Sequence, residues 1–222
     1  MLTANNIMQQ INTLTADIIK SGLCQKENFP SMKPKKNNIV EIGISHPEHS
    51  IFLKNIPYSE MYMELVKKEQ YNLKMIDGAL ITLLYRFKGK NLISHRLSFF
   101  PAPNLEIFQN EPYMYINDEL YTELINNKKI VTVPLRFDFD SSEDVFIPIK
   151  HPRSHFTLGQ YENCRIPVSS AISPYQFLKF IIDNFYYFSK SKLSYYLTPY
   201  NDKFISSIVD EEKKLIHICT PI

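Results

Sequence analysis

The sequence predicts an α+β fold: a largely antiparallel β-sheet covered on one face by N-terminal, central and C-terminal helices. Three observations predict it. Two β-rich runs, ALITLLYRF and NLISHRLSFF, flank a glycine-containing turn and read as a hairpin. Two further runs, near 130–139 and 154–160, alternate with the strand period of two. Apolar residues at helical spacing concentrate at 3–21, 58–75 and 174–190.

Composition narrows the class. The chain has 222 residues, 44% hydrophobic and 22% charged, which suits one core and an ordinary globular protein. The expected organisation is a single domain over 1–222: an N-terminal helix to 24, a linker at 25–37 and an α+β core at 38–222. No run approaches the ~18 apolar residues of a membrane span. The N-terminal stretch has polar and charged residues throughout and reads as no signal peptide, so no membrane partner and a cytoplasmic location are expected. Cys24, Cys164 and Cys219 are far apart and odd in number, against a disulfide framework or a cysteine zinc site. Net charge is only +2, so no global basic signature marks a nucleic-acid binder. The arginines are more telling: all five, Arg86, Arg96, Arg136, Arg153 and Arg165, fall in the middle of the chain. Arginine presents a planar fork to carboxylate or phosphate, whereas the lysines are scattered as surface charge.

In chain order, Ile7, Ile11, Leu14, Ile18 and Ile19 make a helical stripe that stops at Gly22. Residues 25–37 have linker composition, with Lys33, Lys35 and Lys36 as solvated charge. A short strand opens 38–56, and His46-Pro47-Glu48-His49 reads as a loop, since its spacing matches no helical ligand pair. Residues 58–75 read as a helix with Ser59 as N-cap. In the hairpin, a two-residue Gly89-Lys90 loop places Leu84 opposite His95 and Arg86 diagonal to it on the same face. A one-residue slip would reverse that face. Residues 104–129 are mixed, with a short helix near 117–127 capped by Asn117. In the strand at 130–139, Arg136 and Asp138 share a face with Asp140, opposite Leu135, Phe137 and Phe139; Pro134 marks an edge or bulge. If 154–160 pairs with that strand, Arg136, Asp138, His155 and Thr157 meet on one surface, with His151 and Arg165 at its ends. Ser173-Pro174 opens the aromatic helix 174–190. The tail holds a short helix and a final strand LIHIC, whose His217 reads as structural.

Several phrases stand together: Asp77-Gly78-Ala79-Leu80-Ile81, His95-Arg96-Leu97-Ser98-Phe99-Phe100-Pro101, Arg136-Phe137-Asp138, His151-Pro152-Arg153-Ser154-His155 and Asn163-Cys164-Arg165-Ile166-Pro167, then the helix ending Phe185-Tyr186. The set resembles the bacterial family catalogued as domain of unknown function 2290, over roughly 50–190. The resemblance implies a single-domain bacterial protein and carries no mechanism.

Phosphate-loop, dinucleotide, serine-elbow and CxxC motifs are lacking. The expected role is an accessory or partner-binding subunit of a bacterial defence or toxin–antitoxin system. Its partner is nucleic acid, RNA before DNA, or a protein of that system. The alternative is a metal-independent ribonuclease. His155 would be one acid/base group and His151 or His95 the other, with Asp138 orienting a histidine. Arg136 and Arg165, with Arg86, Arg96 and Arg153, would bind the anion. No cofactor or metal is required, since RNA carries its own 2′-hydroxyl nucleophile. A metal variant built on His151, His155, Asp138 and Asp140 ranks below it. The discriminating feature is whether the histidines and arginines converge on an open cleft or are buried against one another.

Overall fold

The computed structural model describes residues 2–45, 56–103, 133–161, 163–186 and 197–221. Its strands are β1 (Cys24–Glu27), β2 (Ser31–Lys35), β3 (Ile39–Gly43), β4 (Leu73–Met75), β5 (Leu80–Lys88), β6 (Asn91–Phe100), β7 (Leu135–Asp140), β8 (Ser154–Leu158) and β9 (Ile166–Pro167). Its α-helices are α1 (Ala4–Lys20), α2 (Tyr58–Lys67), α3 (Pro174–Phe185) and α4 (Asp210–Lys213). Among the described residues the nine strands form one sheet, ordered β1-β4-β5-β6-β7-β8-β9, with β2 paired to β3 and β3 to β5. Every paired ladder is antiparallel. The α+β architecture is therefore as the sequence predicts.

Strand alternation gives the sheet two unlike faces. Ile81, Leu83, Tyr85 and Phe87 of β5, Leu97 and Phe99 of β6, and Leu135 and Phe137 of β7 enter one large core. Helix α1 adds Ile7, Ile11, Leu14 and Ile18, and α3 adds Phe177, Leu178, Ile181 and Ile182. Each such side chain removed from water contributes about 1.5–3 kcal/mol. Both helices begin on capping boxes, Thr3 with Asn6 and Ser173 with Gln176, so their orphan N–H groups are met locally. The opposite face carries Arg86, Arg96, Arg136 and Asp138 in its middle. At its end, α2 packs in a second cluster in which Met61, Tyr62 and Leu65 meet Leu80 and Phe100. By alternation Leu80 and Phe100 belong to the face away from α1 and α3. The central helix thus sits across the sheet from the other two.

Several local expectations change. The 25–37 stretch contains most of β1 and all of β2, whose polar composition reflects exposure rather than a free connector. The helix expected over 58–75 ends at Lys67, because Glu69 turns the chain at φ +52°. Leu73 and Met75, which resemble a continuing helical stripe, are the buried positions of β4. Pro57, not Ser59, is the N-cap position of α2. The hairpin loop is Gly89-Lys90, but the register shifts between Arg86 and Phe87. Below that shift Tyr85, not Leu84, faces His95. The final strand is reduced to a single parallel bridge of Ile218 with Val168. The His46–His49 loop, the helix near 117–127 and the ends of the 130–139 and 174–190 elements lie outside the described residues.

Candidate functional site

The site is built from cross-strand rows on the face that α1 and α3 leave uncovered. In the first row Leu84 pairs with Arg96, Arg96 with Asp138, and Asp138 with His155. In the next row Ser98 pairs with Arg136 and Arg136 with Thr157. On the other side Arg86 pairs with Ser94 and Ser94 with Asp140. Antiparallel neighbours directly opposite lie only ~5 Å apart at Cβ, so this register alone brings the charges together. An open cavity of about 590 Å³ lies over them, lined by Arg86, Arg96, Arg136, Arg165, Asp138, Asp140, His151 and His155, among others.

Asp138 is the hub. Its Oδ1 accepts from Arg96 Nε at 2.9 Å, and its Oδ2 accepts from Arg136 Nε. Burial alone would push its carboxyl up, but the guanidinium groups of Arg136 and Arg96 outweigh that and hold it below the usual carboxylate range. Asp138 is 8% exposed, so this is a buried charge, compatible with folding because two cations compensate it. Each of these arginines spends only Nε on the carboxylate. Their Nη groups have no hydrogen-bond partner among the described residues. Arg165 forms no ion pair among the described residues and lines the same cavity. Arg86 donates its Nε to a different carboxylate, Glu41 Oε2, at 2.7 Å.

His155 is nine-tenths or more buried beside this hub, at 4% exposure. Its Nδ1 lies 3.0 Å from Pro152 O, and a carbonyl can only accept, so Nδ1 carries the proton. The unprotonated Nε2 lies 3.8 Å from Asp138 Oδ2. Burial lowers the pKa of this ring, and the raising effect of Asp138 does not restore it, so the imidazole is neutral at pH 7. His151 packs edge-on against it with ring centroids 5.1 Å apart. The loop that brings it there closes on itself, His151 N donating to Ile147 O at 2.7 Å. His151 Nδ1 is buried without a partner among the described residues, as are the hydroxyls of Ser98 and Thr157 that flank Arg136.

Two expected members are elsewhere. His95 borders the cavity, but its ring lies on the helix-covered face, between Tyr85 and Phe139, and its Nε2 accepts from Ile172 N–H at 3.0 Å. The register shift in the hairpin reverses the face that its sequence spacing predicts. Burial lowers its pKa to about 4. Arg153 leaves the group as well: Nη2 bonds both carboxylate oxygens of Glu143 at 2.8 Å, and its guanidinium carbon sits 4.3 Å over the Phe146 ring. The structure therefore gathers His151, His155, Asp138, Arg86, Arg96, Arg136 and Arg165, and not His95 or Arg153. Sequence reasoning missed Glu41. Its signal is a lone acidic residue inside the apolar run Ile39–Gly43, where it is only 3% exposed. Asp140 accepts from Ser142 N at 2.8 Å and so also shapes its own turn. Among the described residues no three His, Cys, Asp or Glu side chains come together at metal-binding spacing.

Fold and site together define an antiparallel α+β protein with an arginine-rich, carboxylate-anchored cavity on the open face of its sheet. The chain belongs to the family described as uncharacterized conserved protein (DUF2290), whose model matches residues 23–220. No curated protein and no solved structure matches it.

Proposed function

We propose that the protein binds a phosphate-bearing ligand, nucleic acid in the first instance, on the arginine face of its sheet. One observation carries this reading. Four arginines against two aspartates line an open cavity, and Arg96 and Arg136 are fixed through Nε while their Nη groups remain unbonded among the described residues. A fork held in this way loses little side-chain entropy when an anion docks, and two adjacent forks suit a phosphate. An arginine meant only to neutralise Asp138 would not need a second beside it.

A second reading rests on His155. With Nδ1–H fixed on Pro152, the Nε2 lone pair is available as a general base in a ring that stays neutral. On RNA, Nε2 would take the 2′-hydroxyl proton as that oxygen attacks phosphorus. The bond to the 5′-oxygen breaks, and His151 supplies the proton to the leaving oxygen. The arginines would hold the charge that builds on the phosphate oxygens.

The test uses labelled single-stranded RNA and DNA with the purified protein, in chelator and in divalent metal. The reading expects binding at low salt that weakens roughly tenfold or more in Arg96→Gln/Arg136→Gln, since each lost charge-assisted hydrogen bond removes ~1.5 kcal/mol or more. Cleavage in chelator that vanishes in His151→Ala/His155→Ala while binding persists establishes the ribonuclease reading. An absence of binding to either nucleic acid overturns the proposal and turns the search to a partner protein of a defence or toxin–antitoxin assembly.

A further inference from the structure

A second cavity, of about 680 Å³, lies where the β5–β6 hairpin, the end of β7 and the tail after 200 meet. Its apolar lining comes from Leu92 of β6, Phe139 of β7, Ala171 ahead of α3, and Phe204, Ile205 and Ile208 of the tail. Phe139 borders the arginine cavity as well, but the other five do not. The tail wall is pinned to the body of the protein: Ser207 N donates to Ser169 O at 2.9 Å, and Ser206 bridges Ser170. The cavity is thus preformed, and its size falls in the range of roughly 300–1,000 Å³ common for small-molecule sites.

Its lining is incompletely covered. Leu92, Phe139, Phe204 and Ile208 are only half-buried, and Ile205 is 80% exposed. Leu92 and Phe204 pack on the main core from its margin, so the cavity continues that core outward. An apolar group seated there would remove these side chains from water. The polar part of the lining has one sign. Lys90, Arg153 and Lys203 line the cavity, and no acidic residue does among the described residues. Arg153 is taken by Glu143 and by the Phe146 ring. Lys90, in the hairpin loop, and Lys203, at the start of the tail wall, form no ion pair among the described residues. Each is an exposed ammonium on a flexible stem, able to reach a charge at the rim.

We propose that this cavity binds a small amphipathic acid, with an apolar acyl or aryl body and one carboxylate. The body lies against Phe139, Phe204 and Ile208, and the carboxylate meets Lys90 and Lys203. The inference does not depend on the phosphate-binding reading.

The experiment follows backbone amides by NMR while the wild-type protein is titrated with hexanoate, octanoate and decanoate below micelle-forming concentrations. Octan-1-ol and octylammonium supply the same chain with other heads. The expected result is a saturable shift at Leu92, Ala171 and Ile205. Affinity should rise roughly tenfold for each two methylenes added, as their burial requires. Octanoate should bind more tightly than octan-1-ol, and octylammonium most weakly. Lys90→Gln/Lys203→Gln alters exposed side chains alone, and should reduce octanoate to the level of octan-1-ol while leaving octan-1-ol unchanged. Arg96→Gln/Arg136→Gln should leave decanoate binding as it is, which separates this cavity from the arginine face. Octylammonium binding as tightly as octanoate would overturn the choice of an acid. No saturable shift with decanoate, or shifts confined to Arg96, Arg136 and His155, would overturn the site itself. Sedimentation with anionic vesicles and no response to the free acids would assign the surface to a membrane and overturn it too.

Discussion

Asp138 holds two arginines with one carboxylate while a neutral imidazole waits 3.8 Å away. Arg136 and Asp138 are two residues apart in a strand, and that spacing already places them on one face. The pairing of β7 with β8 then adds His155 and Thr157, as the alternation in sequence suggests. His95 shows the limit of such reasoning. Its ring is neutral in the folded protein because Nε2 accepts from Ile172 N–H and burial disfavours a charge. An unfolded histidine titrates near ~6.5. Between pH 6.5 and about 4 the unfolded chain therefore binds a proton that the folded chain does not, and stability falls as the pH falls through that window. Over the whole window the loss amounts to about 3 kcal/mol. Urea unfolding at stepped pH should show this slope, and His95→Gln should flatten it. A wild-type curve flat between pH 6.5 and 4 would contradict the buried placement of His95. Burial lowers the pKa of His155 too, so it adds to the slope in the same direction and sets the residual in the variant.

At the level of elements, the hairpin β5–β6 decides which side chains reach the site. Its loop places Gly89 at φ +60° with nothing within 4 Å of an added Cβ. The cost of a side chain there is therefore backbone strain alone, about 1–2 kcal/mol for an ordinary L-residue. Gly89→Ala should lower stability by that amount, and Gly89→Asn by less, because asparagine tolerates the left-handed region. Equal, negligible losses in chemical denaturation would count against this loop geometry. The loop was legible from Gly89-Lys90. The register shift between Arg86 and Phe87 was not, because a bulge leaves no composition signal in an apolar run. That one residue separates an account with His95 in the site from one with His95 in the core. The stretch at 25–37 misled for a different reason. Strands at a sheet margin bury little, so β1 and β2 keep the polar residues of a connector. The helix over 58–75 was overextended because Leu73 and Met75 sit at positions that both periods can claim.

Over the whole molecule, the chain divides its labour between the two faces of one sheet. Helices α1 and α3 seal one face with the larger core, and α2 closes an end of the other. Among the described residues, the arginine-lined cavity lies open on that second face. The aromatic helix at the C-terminal side packs Phe177 and Phe180 against Phe137, whose neighbours in sequence are Arg136 and Asp138. The core thus fixes the backbone of β7 from behind while the site uses its other face. No described helix is long and apolar enough to cross a membrane. Of the described cysteines none is paired, and burial first, then the charge of Glu27, pushes the Cys24 thiol up to about 12. Cys24 is therefore an inert thiol at neutral pH.

The central claim is that Arg96 and Arg136 present a prepared anion site. The most direct measurement is a titration with inorganic phosphate followed by NMR of the arginine Nε–H groups and the histidine rings. The Nε–H groups of Arg96 and Arg136 are bonded to Asp138 and should give slowly exchanging signals. The account predicts that these two signals and the His155 ring shift together and saturate, while Arg153, occupied by Glu143, stays in place. If Arg96 and Arg136 do not move while phosphate is added, or move no more than Arg153, the arginine face is a structural network and the claim is wrong.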